Sequence, residues 1–318
     1  MTIPLVTFGG GGGHAQVLKG LRTLKSVRIT AVCPSTDSGG STGGLRRDYD
    51  AGGYLGDLTK CVAALCSDSR LARALMHRFS GGALDGHSVK NLLLLGLEQT
   101  LGRRAALEQL FHIAGIAPHR VLPVTDRRTE LRARLRLGNV VHGETNIDCI
   151  ASNPLWHPDV HAIESITLSP DAPASADVLD AVREARMCIF CPGDLYSSLL
   201  PTLLPRGMKR AFAHSRAKLV LVLNIMTKQG ETDGYHAEDF IARVERATGR
   251  RCDIILANGG TVPMRATAAY AVERKVQMAT DELRADARVR VLPFVCLTDA
   301  GLICHDEHAL ARAIRRLL

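Results

Sequence analysis

Aromatic side chains are scarce: Phe, Trp and Tyr make up 4% of the 318 residues, with one Trp. Surfaces that grip single-stranded nucleic acid stack bases on aromatic rings. The net charge of +8 is therefore read as favouring small anionic ligands or solubility, with no nucleic-acid partner. The cluster Arg127, Arg128, Arg132, Arg134 and Arg136 is interleaved with Leu131, Leu135 and Leu137 and reads as one solvated strand face. No apolar run reaches the roughly 18 residues of a membrane span, so none is expected. Met1-Thr2-Ile3-Pro4 lacks the basic region and apolar core of a signal peptide, which makes the cytoplasm the expected location. Nine cysteines follow no regular spacing, as reduced thiols do. One CxxC, Cys188 and Cys191, sits inside an apolar run with no second pair, which excludes zinc and thiol redox chemistry there. Repeats, long linkers and low-complexity tracts are also missing.

What remains, 46% hydrophobic and 23% charged residues, is the composition of a globular chain. It is read as one α/β domain over residues 1–318. Strand-like runs are predicted at 5–8, 28–33, 121–124, 130–137, 162–168, 187–191, 219–224, 253–257 and 289–292. Amphipathic helices are predicted at 15–24, 58–66, 70–79, 89–101, 104–113, 176–185, 237–248 and 308–317. Such alternation predicts a mostly parallel sheet with helices on both faces and ligands at the carboxyl ends of its strands. Two runs around the Gly138-Asn139 turn predict a β-hairpin inserted at about 119–150.

The run Val6-Thr7-Phe8 enters Gly9, Gly10, Gly11, Gly12 and Gly13, then His14, where a helix is expected to begin. Strand, glycine loop and helix N-terminus form an anion cradle, because free N–H groups and the helix dipole converge. The alternative is a tight packing turn. No Gly-Lys-Ser/Thr ends the loop, so it is not a P-loop, and it meets GxGxxG only loosely. A dinucleotide oxidoreductase reading rests on this loop alone. Asp37 lies at the spacing of a ribose ligand but inside a Gly/Ser loop.

Other post-strand loops are polar. Asp37-Ser38-Gly39-Gly40-Ser41-Thr42-Gly43-Gly44-Leu45-Arg46-Arg47 offers a carboxylate, hydroxyls and an arginine pair suited to phosphate, or is simply a mobile loop. Asp57 either caps the next helix or pairs with Asp37 to hold Mg²⁺. Ser88 is a plausible N-cap, and His87 and Asn91, four apart, face one cleft or serve the frame. Gly143-Glu144-Thr145 follows the hairpin. Pro192-Gly193-Asp194-Leu195-Tyr196-Ser197-Ser198 reads as a strand-to-helix turn. Asn224-Ile225-Met226-Thr227-Lys228-Gln229-Gly230-Glu231-Thr232 follows another strand.

Together these loops, with Gly56-Asp57 and Gly86-His87-Ser88-Val89-Lys90-Asn91-Leu92, resemble the CofD/YvcK family over residues 5 to about 305. Motifs 86–92 and 224–235 are closer to the YvcK branch. The resemblance implies a Rossmann-like three-layer α/β/α fold, commonly dimeric, with the ligand over the carboxyl edge of the sheet. In one branch, 2-phospho-L-lactate transferases make a phosphodiester from a nucleotide-activated phospholactate and a deazaflavin alcohol, with Mg²⁺. In the YvcK-type gluconeogenesis factors the site is similar to a nucleotide-sugar site. They bind UDP-N-acetylglucosamine without established catalysis, support growth on gluconeogenic carbon and influence cell shape through peptidoglycan synthesis. The expectation is a nucleotide-sugar binding homodimer, the alternative a transferase using Asp37 and Asp57 as catalytic and metal ligands. Ligand contacts are expected from Gly9, Gly10, Gly11, Gly12, Gly13, Ser38, Gly39, Gly40, Ser41, Arg46, His87 and Asn91. Gly193, Asp194, Tyr196, Ser197, Asn224, Thr227, Gln229, Glu231 and Thr232 complete the set. Two departures stand out: Gly12 replaces a threonine and His14 an apolar residue, and Ser38 replaces the second acid of a family Asp-Asp pair.

Overall fold

The computed structural model describes residues 2–272, 274–280 and 282–318. Among the described residues twelve strands follow in chain order: β1 (Ile3–Phe8), β2 (Val27–Cys33), β3 (Arg120–Pro123), β4 (Glu130–Leu135), β5 (Val140–His142), β6 (Ile163–Ser169), β7 (Met187–Phe190), β8 (Lys218–Val222), β9 (Ile254–Asn258), β10 (Val289–Leu292), β11 (Val295–Leu297) and β12 (Ile303–His305). Seven form a parallel sheet in the order β10-β9-β8-β7-β1-β2-β3. Its central strands are apolar on both faces, as a sheet covered by helices on both sides requires. Alternation still sorts the side chains. Cys188, Phe190, Leu219 and Leu221 enter one core with Phe8 and Phe212. Met187, Ile189, Val220 and Val222 enter the other with Leu5 and Ile29. The rings of Phe8, Phe190 and Phe212 meet at centroid distances of 5.4–5.7 Å. Helices Gly11–Leu21, Leu55–Leu65 and Glu307–Arg315 cover the second face. Helices Ala176–Glu184, Met208–His214 and Ala237–Thr248 cover the first.

The predicted hairpin is present, with β4 antiparallel to β5. The run read at 162–168 lies outside the parallel sheet: β6 pairs antiparallel with β4, giving a separate three-stranded sheet β5-β4-β6. Leu131, Ala133 and Ile166 of this sheet are buried in the first core. Among the described residues no helix is long and apolar enough to cross a membrane.

Candidate functional site

Strand order places the site. From β1 the chain runs outward through β2 and β3, then returns to the other side of β1 with β7. The crevice therefore opens beyond the carboxyl ends of β1 and β7, the switch point where open α/β sheets bind ligands. The glycine loop and the 192–198 turn leave those two strand ends. The first helix begins at Gly11, not near His14, so three glycines form its first turn. They fit because the two loops press together: a Cβ on Gly13 would lie 2.2 Å from the Pro192 carbonyl oxygen. Gly11 has φ +65°, a conformation that favours glycine. His14 turns away into the core, its Nδ1 2.8 Å from the Gly9 carbonyl and its Nε2 2.8 Å from Thr7 Oγ1.

Asp57 is not the cap of its own helix, where Tyr54 holds that position. Its Oδ1 accepts the Gly11 N–H at 2.7 Å, so a carboxylate sits against the positive end of the first helix. Asp37 stands close by. Its Oδ1 accepts the Gly39 N–H at 3.0 Å, and burial, with Asp57 second, raises its carboxyl above the usual range. The Gly/Ser segment is no mobile loop: it becomes the helix Gly40–Tyr49, with Gly39 at its N-cap. Asn91 Nδ2 donates to Ser41 Oγ (3.2 Å) and Thr42 Oγ1 (3.4 Å). His87 Nδ1 lies 3.2 Å from Ser41 Oγ. His87 and Asn91 thus meet at one hydroxyl and brace the helix start. Ser88 is at the N-cap position of Val89–Leu101, but its hydroxyl makes no cap bond. Arg46 does not stand free as a phosphate clamp. Its guanidinium donates to the carbonyls of Asp37 (2.7 Å) and Thr129 (3.3 Å). Buried Lys90 donates to Gly56 O, Thr59 Oγ1 and Asn91 Oδ1 at 3.0–3.1 Å. Burial, then Lys60, lowers it to about 8.

Ser38 ties this loop to the inserted sheet. Its Oγ accepts the Thr145 N–H at 3.1 Å, and its own N–H donates to Glu144 Oε2 at 3.3 Å. A carboxylate thus stands beside Asp37 although position 38 is not acidic. Burial, then Asp37, pushes Glu144 up to about 8. An acid raised on folding binds its proton more tightly in the folded state. Its stabilising contribution is full below the ordinary carboxylate value and is lost as pH rises toward 8. Glu144→Gln is therefore expected to flatten the fall of Tm between pH 5 and 9, gaining roughly 1 kcal/mol on the wild type at the alkaline end after solvent screening. Parallel Tm curves for the two proteins would refute this.

The remaining two motifs hold each other. Asn224 brackets Gly193, its Oδ1 accepting the N–H at 3.1 Å and its Nδ2 donating to the carbonyl at 2.8 Å. Lys228 bridges Asp148 (3.0 Å) and Asp194 (3.6 Å). Glu231 is buried and accepts the N–H groups of Tyr196 (2.7 Å) and Ser197 (3.3 Å) and the Ser197 hydroxyl (2.5 Å). Tyr196 points into the core, its hydroxyl 2.6 Å from that of Tyr235. Thr227 Oγ1 accepts the Val276 N–H, and Thr232 Oγ1 the Lys228 N–H. Gln229 is half-buried on the same turn. The side chains of Tyr196, Ser197, Glu231 and Thr232 thus hold the frame.

Two adjoining cavities open here. The larger, about 630 Å³, is bounded by Gly12, Gly13, Lys19, Lys60, Arg73 and Tyr270. The smaller, about 180 Å³, is bounded by Gly193, Asp194, Asn224, Thr227, Lys228 and Lys275. Tyr270, Ile303, Cys304 and His305 border both. Lys19, Lys60, Arg73 and the β11–β12 hairpin carried no motif and were missed from sequence. Helical spacing is the one signal that could have found Lys19, which borders the larger cavity with Gln16 one turn earlier on the glycine-loop helix. Among the described residues two clusters have metal-ligating atoms close together: His14 with Cys33 and Cys61, all buried, and Asp148 with Asp194 and Glu231. The second already has the Lys228 ammonium beside two of its acids.

The family model described as 2-phospho-L-lactate transferase CofD matches residues 5–295. A Deinococcus radiodurans protein named "Putative gluconeogenesis factor" is 37% identical over 315 residues, 98% of this chain, which spans 65% of that protein. The gluconeogenesis factor of Bacillus subtilis is 31% identical over 326 residues, covering 99% of this chain and 98% of its own. A crystal structure of a UPF0052 family protein from Bacillus halodurans superposes with a TM-score of 0.89 at 32% identity, covering 98% of this chain and 99% of the other. Fold, motif positions and these likenesses agree: the chain belongs to the CofD family, alongside gluconeogenesis factors of the YvcK type.

Proposed function

We propose that this protein binds a nucleotide sugar of the UDP-N-acetylglucosamine kind, as a cytoplasmic homodimer linking carbon metabolism to cell shape. The observation that carries the reading is one cavity bordered by both a helix N-terminus and three cations. Gly12 and Gly13 border the larger cavity with Lys19, Lys60 and Arg73. A diphosphate in this cavity gains from these charges and, toward Gly12 and Gly13, from the helix dipole, with Asp57 already holding the Gly11 N–H. The larger cavity has room for a nucleoside and the smaller, polar one for a sugar. The residues offer donors and shape, which suffice for binding. Transfer also needs a group to activate an acceptor hydroxyl, and His87, a candidate for that role, is engaged with Ser41.

A second reading, Mg²⁺-dependent phospho-group transfer, is favoured by one observation. Asp37 and Asp57 are close enough for the charge of one to raise the other's carboxyl. Such a pair fits a hard divalent cation, which would neutralise charge on a leaving pyrophosphate.

Calorimetry with UDP-N-acetylglucosamine, with Mg²⁺ or with excess chelator, tests both readings, with phosphorus NMR to follow products. Expected are binding under both conditions, an intact ligand, and affinity at least about tenfold weaker in Gly11→Val and Asn224→Ala, each of which disturbs a loop of the cradle. Enzyme-dependent release of UMP or UDP, or formation of a phosphodiester from a nucleotide-linked phospholactate and a deazaflavin alcohol, would overturn the binding-protein reading. Loss of binding in chelator with Asp37→Asn and Asp57→Asn silent would remove these two acids from the metal site.

A further inference from the structure

The β11–β12 hairpin walls both cavities through Ile303, Cys304 and His305. In its antiparallel register Cys296 lies directly opposite Cys304. Their sulfurs are 2.7 Å apart, and both residues are half-buried. Directly opposed residues of an antiparallel pair have Cα atoms about 4.5–5.5 Å apart. Disulfides span about 4.4–6.8 Å. A bond between these sulfurs therefore needs no change of strand pairing. Other close thiols lack this access: Cys33 and Cys61, 3.5 Å apart, are both fully buried, and exposed Cys149 is on another element.

We propose that Cys296 and Cys304 form a reversible dithiol whose oxidation to a cross-strand disulfide fixes the wall of the cleft. Cys304 borders the cavities and is the attacking sulfur. Its thiolate attacks one sulfur of a low-molecular-weight disulfide such as oxidised glutathione, and one thiolate leaves. Cys296 then attacks the Cys304 sulfur of the mixed disulfide, giving its proton to the second departing thiolate. Two protein thiols and one disulfide become one protein disulfide and two free thiols. Burial, then the neighbouring sulfur, pushes the Cys296 thiol up to about 12, consistent with a resolving partner that stays protonated until the mixed disulfide forms.

Polar ties also hold the wall to its neighbours. Tyr270 Oη accepts the Ile303 N–H at 3.1 Å, His305 Nε2 is 3.0 Å from the Leu223 carbonyl, and Asn258 Oδ1 accepts the Val295 N–H at 3.0 Å. A covalent link between the strands removes their relative motion and takes the Cys304 thiol out of the cleft. The pairing does not depend on what the cleft binds, whereas its effect on affinity rests on the nucleotide-sugar reading.

The test uses the full chain carrying Cys149→Ser, to exclude links between molecules. It is equilibrated in mixtures of reduced and oxidised glutathione, trapped by alkylation, and mapped by non-reducing peptide mass spectrometry. A 296–304 cross-link that forms and reverses with the glutathione ratio is expected. In Cys296→Ser a glutathione adduct is expected to persist on Cys304. Amide exchange at residues 303–305 is expected to slow about tenfold in the oxidised form. Both cysteines alkylated at every ratio, or no adduct on Cys304 in Cys296→Ser, would overturn the dithiol. Unchanged amide exchange would overturn the fixing of the wall. Calorimetry with UDP-N-acetylglucosamine on both forms separates the two proposals. Equal affinities count against the wall's effect, whereas no binding by either form counts against the nucleotide-sugar reading and leaves the dithiol standing.

Discussion

Gly13→Ala is expected to destabilise the protein by about 2 kcal/mol, while Gly12→Ala, one residue earlier, is expected to stabilise it by up to about 1 kcal/mol. Both glycines lie in the first turn of the same helix, where alanine is the better helix former by about 1 kcal/mol. Their surroundings reverse the outcome. A Cβ on Gly12 meets nothing within 4 Å, whereas one on Gly13 comes 2.2 Å from the Pro192 carbonyl oxygen. That oxygen is main chain, and the next residue, Gly193, is gripped on both its N–H and its carbonyl by Asn224. It cannot swing aside as a flexible side chain would. Overpacking of this kind costs about 1–3 kcal/mol, and the upper end outweighs the gain in propensity. The movement also parts the two loops that meet at the switch point. Affinity for UDP-N-acetylglucosamine should therefore fall in Gly13→Ala by more than the loss of folded protein explains. Urea unfolding of both variants, with calorimetry on each, decides the matter. Changes of the same sign and size would show that the loops do not press on each other as described.

The two glycines also show how far the sequence can be read. Apolar runs between polar loops announced the strands of the parallel sheet, because a strand covered on both faces has little choice of residue. The glycine run was legible as a loop at a strand end. That its last three members are helical was not, since glycine is a poor helix former and the compensating contacts come from Pro192 and Asp57, far away in sequence. The helix Gly40–Tyr49 was hidden for the same reason, behind Gly-Ser-Thr-Gly-Gly braced by Asn91 and His87. In the site, spacing located the loops but not the direction of their side chains. Arg46, Tyr196 and Glu231 were expected at the ligand, yet they bond to the frame. Lys19, Lys60 and Arg73 look like ordinary surface cations until helices, each with its own phase, bring them round one cavity. The β11–β12 hairpin strands are three residues each, too short to show a period.

Glu231→Ala is expected to cost about 4 kcal/mol, and Glu231→Gln about 1 kcal/mol. The carboxylate is buried and takes three donors from the 195–199 turn: two backbone N–H groups and the Ser197 hydroxyl. Alanine leaves both N–H groups without their acceptor, each worth about 1–3 kcal/mol, and opens a small cavity. Glutamine keeps the shape and one oxygen for the N–H pair, and its amide can donate to the Ser197 oxygen. The pH dependence separates charge from shape. Burial, then Asp194, lifts the Glu231 carboxyl to about 8, against the pull of its hydrogen-bond donors. The wild type therefore loses stability as pH rises from the ordinary carboxylate value toward 8, a slope that glutamine cannot have. Urea unfolding from pH 5 to pH 9 should show both variants gaining on the wild type, since neither titrates at this position, while Glu231→Ala stays below Glu231→Gln throughout. Because this one side chain joins the 192–198 and 224–232 motifs, the alanine variant should also lose the alignment of Gly193 with Asn224, and with it UDP-N-acetylglucosamine binding. Equal stability of the alanine and glutamine variants would show that the buried donors find other acceptors and that Glu231 does not hold the two motifs together.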